Sequence, residues 1–265
     1  MSATAGIDVG STYTKAVVLK DGREIAGRAI LPTGFQLELA ARTAYDRALA
    51  AAGIPEKDVA YLVSTGYGRS TVAFRDVQVT DLTAHARGAA FLFPGTRTVL
   101  DVGGQTMKAS RLDERAKVRS FRLNDKCAAG TGAFLEKTAR YLGFETGEIG
   151  ALAATSKTKV AISGVCAVFA ESEVINHVSS GAAPADIMQG AIASLVERSV
   201  QLMRRIQMEP EFTLVGGILR FESMVAVMRQ ELKGRVNVPE GDMAQFNGAL
   251  GAAVLGATRL RKKEA

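Results

Sequence analysis

A nine-residue phrase, Asp8-Val9-Gly10-Ser11-Thr12-Tyr13-Thr14-Lys15-Ala16, returns as Asp101-Val102-Gly103-Gly104-Gln105-Thr106-Met107-Lys108-Ala109. A chain that repeats one turn between similar apolar runs is expected to fold both copies alike, which points to a duplicated core. Each copy opens with an apolar run that reads as a buried strand, turns on small residues, and enters a second strand near the lysine. Glycine lets backbone N–H groups approach an anion, and a carboxylate at a strand end can hold a hydrated divalent metal. Two such hairpins facing each other would clamp a nucleoside triphosphate.

With 265 residues, 47% of them hydrophobic, the chain can bury one large core or two modest ones. The duplication favours two. The formal charge of +6 gathers partly in Arg259-Leu260-Arg261-Lys262-Lys263, with no aromatic residues interleaved, which reads as a solvated basic tail and not a nucleic-acid surface. An anionic coenzyme or an acidic protein partner also suits that charge. The segment Met1-Ser2-Ala3-Thr4-Ala5 has no targeting pattern and no apolar stretch reaches spanning length, so the expectation is a soluble, cytoplasmic protein without a membrane partner.

Along the chain, a hairpin at Lys20-Asp21-Gly22 precedes an alanine-rich helix from about Phe35 to Ala52, stopped at Gly53. A strand from Val59 to Ser64, a Thr65-Gly66-Tyr67-Gly68-Arg69 turn and a helix near Thr83 to Phe93 follow, ended by Pro94-Gly95. The second half repeats the hairpin, adds a strand at Val118 to Leu123, and turns mainly helical. Short strands are expected near Lys159 to Ser163, Phe212 to Val215 and Val236 to Val238, and a last helix from about Asn247 to Leu260. The pattern is α/β, with a duplicated βββαβα-type core in two lobes, 1–96 and 97–265; a last helix within 246–262 is free to pack back on the first lobe.

No P-loop pattern occurs, and Gly130-Thr131-Gly132 lacks the third glycine of a dinucleotide fingerprint. Leu214-Val215-Gly216-Gly217-Ile218 instead ends an apolar strand on two glycines, where a flat base could lie, and Gln245-Phe246-Asn247-Gly248-Ala249-Leu250-Gly251-Ala252 sets small residues at helical spacing. In this order the segments resemble the actin, sugar kinase and Hsp70 superfamily of ATPases, in which ATP and Mg²⁺ lie in a cleft between two lobes. The resemblance implies that Asp8 and Asp101 hold the hydrated metal, and that Ser11, Thr12, Thr14 and Lys15 contact phosphates from the first hairpin. It assigns Gly103, Gly104 and Gln105 to phosphates from the second, and Gly216, Gly217 and Gln245 to the adenosine. Gln105 is also the candidate to orient the hydrolytic water; its plain alternative is a bond within its own loop. Lys108 reads as redundant beside Lys15.

Only two cysteines occur, Cys127 and Cys166, each ahead of an expected helix, Ala133 to Leu142 and Ala167 to Val178. A helix N-terminus supplies partial positive charge and N–H donors, which suits a thiolate. An iron–sulfur cube needs four thiolates, so a symmetric dimer would complete one cluster. His85 and His177 lie far from either cysteine in sequence and read as ordinary polar helix residues. The phrases Asn124-Asp125-Lys126-Cys127-Ala128-Ala129-Gly130-Thr131-Gly132 and Cys166-Ala167-Val168-Phe169-Ala170-Glu171-Ser172-Glu173-Val174-Ile175, within these ATPase loops, closely resemble the ATP-dependent activators of 2-hydroxyacyl-CoA dehydratases and the ATPase subunits of benzoyl-CoA reductases.

That resemblance covers almost the whole chain. It implies a dimer, of identical chains or with a related ATPase subunit, that shares one [4Fe-4S] cluster on Cys127 and Cys166. Such a dimer accepts electrons from reduced ferredoxin or flavodoxin. It uses ATP hydrolysis to send a low-potential electron into a CoA-ester-binding reductase or dehydratase. Thr83-Ala84-His85-Ala86-Arg87-Gly88-Ala89 and Ala139-Arg140-Tyr141-Leu142-Gly143 lean toward the benzoyl-CoA reductase branch, while the Cys127 loop fits a dehydratase activator equally. Gly216-Gly217-Ile218-Leu219-Arg220 departs from the usual Gly-Gly-Val-Ala, placing Arg220 to stack on the base or to face solvent. Nucleotide state is expected to control both potential and partner binding, with weak ATPase activity in the free protein. For one electron, about 1.4 kcal/mol of coupling moves a potential by roughly 59 mV. The rivals are a small metabolite kinase of the same superfamily, marked by an acidic base in a substrate pocket and a dispensable Cys127, and a filament-forming ATPase without a metal cofactor.

Overall fold

The structure is a computed structural model that describes residues 2–124, 130–158, 160–162 and 167–264. Its strands and helices run β1 (Ala3–Val9), β2 (Tyr13–Lys20), β3 (Glu24–Pro32), α1 (Leu37–Ala52), β4 (Val59–Thr65), β5 (Val77–Gln78) and α2 (Asp81–Leu92). They continue with β6 (Thr98–Val102), β7 (Met107–Leu112), β8 (Val118–Asn124), α3 (Gly132–Tyr141), α4 (Ile149–Ala154), α5 (Ala167–Ser179), α6 (Pro184–Arg204), β9 (Phe212–Val215), α7 (Glu222–Glu231), β10 (Val236–Asn237) and α8 (Met243–Glu264). Two compact units result: Met1–Thr96 with Leu112–Arg119 and Asp242–Ala265, and Arg97–Arg111 with Ser120–Gly241.

The repeat is visible in the sheets. One has the order β3-β2-β1-β4-β5 and the other β8-β7-β6-β9-β10, the same permutation. In each, the hairpin strands are antiparallel and the next strand returns parallel to the first. Such a parallel return needs a crossover, which α1 supplies in the first unit.

Alternation along β1 sorts its side chains between two layers. Ala3, Ala5, Ile7 and Val9 pack with Ala41, Ala44, Tyr45 and Ala48 of α1. The even positions Thr4, Gly6 and Asp8 share the opposite face, where the Thr4 hydroxyl donates to the Ala253 carbonyl of α8 at 3.0 Å. Small residues set how close these layers come: a Cβ at Gly6 would strike the Ala249 carbonyl and lie 2.5 Å from the Ala253 amide. Gly27 of β3 plays the same part under α1, with the Ala52 amide 2.6 Å from its Cβ position. In turn α2 lies on α8, where Gly251 meets the Ala84 carbonyl and Gly88 meets Asn247. In the second unit, one core joins Leu100, Val102, Met107 and Ala109 of the sheet to Phe134 and Leu135 of α3, Ile187 to Met203 of α6, and Met224 and Met228 of α7.

Three expectations shift. The helix expected from Thr83 begins at Asp81, because Thr80 caps it by accepting from the Thr83 amide at 3.3 Å. The last helix runs four residues further in each direction than Asn247 to Leu260. Residues 160–162 form no strand; the Val160 amide reaches the Asp186 carbonyl at 3.5 Å and the Ala161 carbonyl faces the His177 ring at 3.1 Å, so helices and not a sheet neighbour hold them. Lys159 and Ser163 of that expected strand lie outside the described residues. Gly6→Ala is expected to cost about 1–3 kcal/mol by prising α8 off β1, read as a lower denaturation midpoint with an unchanged slope.

Candidate functional site

Each hairpin places its aspartate directly opposite its lysine, Asp8 against Lys15 and Asp101 against Lys108, so both side chains leave the same sheet face. The ammonium to carboxylate distances are 3.5 Å and 3.6 Å. Both aspartates are 6% exposed. The separations exceed the 2.7–2.9 Å of a tight charge-assisted bond, so each lysine is near its carboxylate without being locked to it. The duplication therefore extends to Lys108, which occupies the second turn as Lys15 occupies the first.

The turns close alike. The Gly10 amide donates to the Tyr13 carbonyl at 3.2 Å and the Gly103 amide to the Thr106 carbonyl at 2.9 Å. Among the described residues, the amides of Ser11, Thr12, Gly104 and Gln105 make no hydrogen bond, leaving two adjacent donors at each tip. Ser11 and Gln105 are exposed there. Thr14 faces the other way: it is fully buried and its hydroxyl shares a 2.9 Å bond with Thr33, which donates to the Gly10 carbonyl at 2.8 Å. Thr14 braces the turn from beneath.

A second duplicated feature joins Gly66, which in sequence reads only as part of a turn, to Gly216, which reads as an adenosine contact. Gly66 after β4 and Gly216 after β9 both have positive φ, +90° and +101°. A Cβ at Gly66 would collide with Asp8 Oδ1 and stand 2.5 Å from the Val9 carbonyl; one at Gly216 would collide with the Val102 carbonyl and stand 2.8 Å from Asp101 Oδ1. In each unit a bare glycine backbone seals the carboxylate. The first seal is braced by the Gly68 amide on the Val9 carbonyl at 2.9 Å and by the Ser64 hydroxyl on the Arg69 carbonyl at 2.8 Å. The halves differ beside the seal: Thr65, in register with Asp8, buries a hydroxyl that has no partner among the described residues, whereas Val215 stands beside Asp101. Gly217 opens a 3-10 turn through Arg220, whose guanidinium is exposed over the Phe221 ring at 5.1 Å. Gln245 is half-buried on α8 in the first unit, and Gly216 and Gly217 belong to the second.

The second turn is bonded directly to α3. The Gly132 amide donates to the Gly103 carbonyl at 2.9 Å and the Ala133 amide to the Gly104 carbonyl at 2.8 Å. A Cβ at Gly132 would lie 2.8 Å from Ile218 Cγ1 after Gly216, so Ile218 would have to shift to admit one. The first amides of α3 are thus engaged by the turn and are not free donors for a thiolate. Lys137 of α3 bridges to Glu171 of α5 at 2.6 Å, and that bond raises the Lys137 pKa. Asp186 at the start of α6 organises the lead-in to α5: its carboxylate accepts from the Thr158 amide at 3.0 Å, the Ser156 hydroxyl at 2.8 Å and the Lys157 amide at 2.9 Å, and is held down to about 2 by those bonds, the Thr158 amide first. Cys127 and Cys166 lie outside the described residues.

Residues 5–256 match the BadF/BadG/BcrA/BcrD ATPase family. The chain belongs to that ATPase family. It is 39% identical over 251 residues to a 2-hydroxyisocaproyl-CoA dehydratase activator of Clostridioides difficile, covering 95% of this chain and 93% of the relative. It is 36% identical over 273 residues to a benzoyl-CoA reductase subunit of Thauera aromatica, covering 99% and 95%. The structure of the activator of the 2-hydroxyisocaproyl-CoA dehydratase from Clostridium difficile with bound ADPNP superposes at TM-score 0.92 and 36% identity, over 99% of this chain and 97% of that one. A Streptomyces griseus ROK-family glucokinase, at TM-score 0.62 and 16% identity over 97% and 100%, shares the fold. The fold of this family member is therefore that of the actin and sugar-kinase-like ATPases. No helix among the described residues is long and apolar enough to cross a membrane.

Gly66→Ala and Gly216→Ala each force a side chain onto a carboxylate in a backbone conformation that disfavours one. Each is expected to weaken nucleotide binding at least about tenfold while leaving the circular dichroism spectrum unchanged, as read by titration of a fluorescent ADP analogue.

Proposed function

We propose that this protein is an ATP-hydrolysing electron donor in which a dimer holds one [4Fe-4S] cluster and drives a low-potential electron into a partner that binds a CoA ester. The observation that carries the proposal is the direct bonding of the phosphate turn to the helix behind Cys127, through Gly132 on Gly103 and Ala133 on Gly104. The names of the relatives, a dehydratase activator and a component of a benzoyl-CoA reductase, support the class of partner.

The residues fit a nucleotide with a divalent metal. Each turn offers paired amides, a loosely held lysine and a buried carboxylate whose surroundings admit no further side chain. Asp8 and Asp101 would hold a hydrated Mg²⁺, and that ion would supply charge neutralisation for the phosphate oxygens. The amides of Ser11, Thr12, Gly104 and Gln105 cradle the phosphates, and Lys15 donates to them once the anion competes for it. Gln105 is exposed at the tip of the second turn and in this scheme orients the attacking water. The backbone of Gly216 and Gly217 forms the floor for the adenosine, with Gln245 the remaining candidate contact.

Two thiolates per chain, Cys127 and Cys166, make four across two chains, the donor set of a cube that supplies a one-electron carrier. Helix α5 supports such pairing, because it buries Ala170 and Val174 yet leaves Phe169 63%, Ile175 46% and Val178 42% exposed. When the second turn tightens on a phosphate, Gly103 and Gly104 carry the start of α3 with them, and the Lys137–Glu171 bridge passes the displacement to α5. Reduced ferredoxin or flavodoxin is the electron source in this scheme, and the acceptor is a dehydratase or an aryl-CoA reductase.

The deciding experiment is anaerobic purification with iron and acid-labile sulfide measured per dimer. About four irons that bleach with dithionite, lost in Cys127→Ala and in Cys166→Ala, are expected; an iron-free protein that phosphorylates a small alcohol would establish the kinase instead. Gly132→Ala, which crowds Ile218, is expected to retain ATP hydrolysis within about threefold but to lower electron delivery to the partner at least about tenfold, a split that a plain folding defect would not produce.

A further inference from the structure

Beside Asp8 the structure gathers a group that neither sequence nor family membership assigned. His85 of α2 is 9% exposed, and its backbone carbonyl accepts from Asn247 Nδ2 of α8 at 2.9 Å. The same Nδ2 lies 3.3 Å from His85 Nδ1. The amide must point this way: turning it over would set Asn247 Oδ1 against the His85 carbonyl, acceptor on acceptor. An amide nitrogen can only donate, so Nδ1 is the accepting nitrogen and the ring proton sits on Nε2. Asn247, fully buried, leaves its own Oδ1 without a partner among the described residues, which marks it as placed for its neighbour.

The next residue shows what lies near Nε2. A Cβ at Gly248 would stand 2.9 Å from His85 Nε2 and 3.0 Å from Asp8 Oδ2. Imidazole and carboxylate therefore flank the same bare Cα, no more than about one water apart. Oδ1 of Asp8 is sealed by Gly66, and Lys15 shares the Oδ2 side.

We propose that His85 is a positioning residue for Asp8: its Nε2–H, set by Asn247, holds the Oδ2 side of the carboxylate in the orientation that receives the hydrated metal of the nucleotide. The role rests on the nucleotide reading above. It resembles the outer groups that orient metal-binding carboxylates elsewhere, whose loss typically costs 10–100-fold in metal affinity.

The test measures ADP affinity with a fluorescent analogue, with and without Mg²⁺, on the full chain, alongside thermal melting. His85→Ala is expected to cut the affinity gained from Mg²⁺ about tenfold and to leave metal-free ADP binding within about twofold. His85→Gln, whose amide N–H reaches the Nε2 position, is expected to restore most of that gain. His85→Asn, whose amide reaches only Nδ1, is not. Equal Mg²⁺ dependence in the Gln and Asn variants overturns the role of His85, and it does so even where the Ala variant fails to fold. A Mg²⁺ gain unchanged in His85→Ala overturns it as well. A wild-type chain that binds no nucleotide overturns the nucleotide reading and this role together, a result distinct from intact wild-type binding with an indifferent His85.

Discussion

Everything in the two units is arranged around a carboxylate at the end of a buried strand with a glycine backbone pressed over it. A carboxylate that is 6% exposed is costly to bury unless its lone pairs are used, and here a cross-strand lysine stands close without closing on it. On the proposed reading that arrangement presents Asp8 and Asp101 to a hydrated metal. The glycines at Gly66 and Gly216 make it possible, since each takes a positive φ that brings the chain against the carboxylate from the strand alongside. The lysine comes from the antiparallel neighbour, the glycine from the parallel one, so the shared strand permutation is the geometry the site requires.

The two halves have diverged in what they attach to this common centre. In the first, α8 and α2 close over the face that carries Asp8, with Gly6, Gly88, Gly248 and Gly251 removing the volume that would hold them apart. In the second, α3 begins on the turn itself and is bridged to α5. One copy is braced as a platform; the other is joined to the helices that follow the cysteines.

Local pattern made the hairpins legible, because the register Asp8 to Lys15 and Asp101 to Lys108 follows from a short turn between apolar runs. The stop of α1 at Gly53 was equally plain, since the left-handed cap with φ of 64° is a property of that residue. What escaped was set at long range. Gly66 looks like any turn glycine until β4 returns beside β1, and Thr14 alternates onto the buried face although it sits in the phosphate phrase. His85 carries no local mark of its place, because Asn247, which fixes its ring, is 162 residues away in the chain. The span Lys159 to Ser163 has the apolar look of a strand, yet Asp186 and His177 give Thr158, Val160 and Ala161 their hydrogen bonds, and no sheet edge is needed.

The bonds from Gly132 and Ala133 to the Gly103 and Gly104 carbonyls clip the second turn to the start of α3, two pieces that lie far apart along the chain. A shift of the turn therefore pulls on the helix through two backbone hydrogen bonds. If the second turn grips a phosphate as proposed, selection on the tightness of that grip acts at the same time on where α3 begins, and the two properties separate only where one of these bonds is broken.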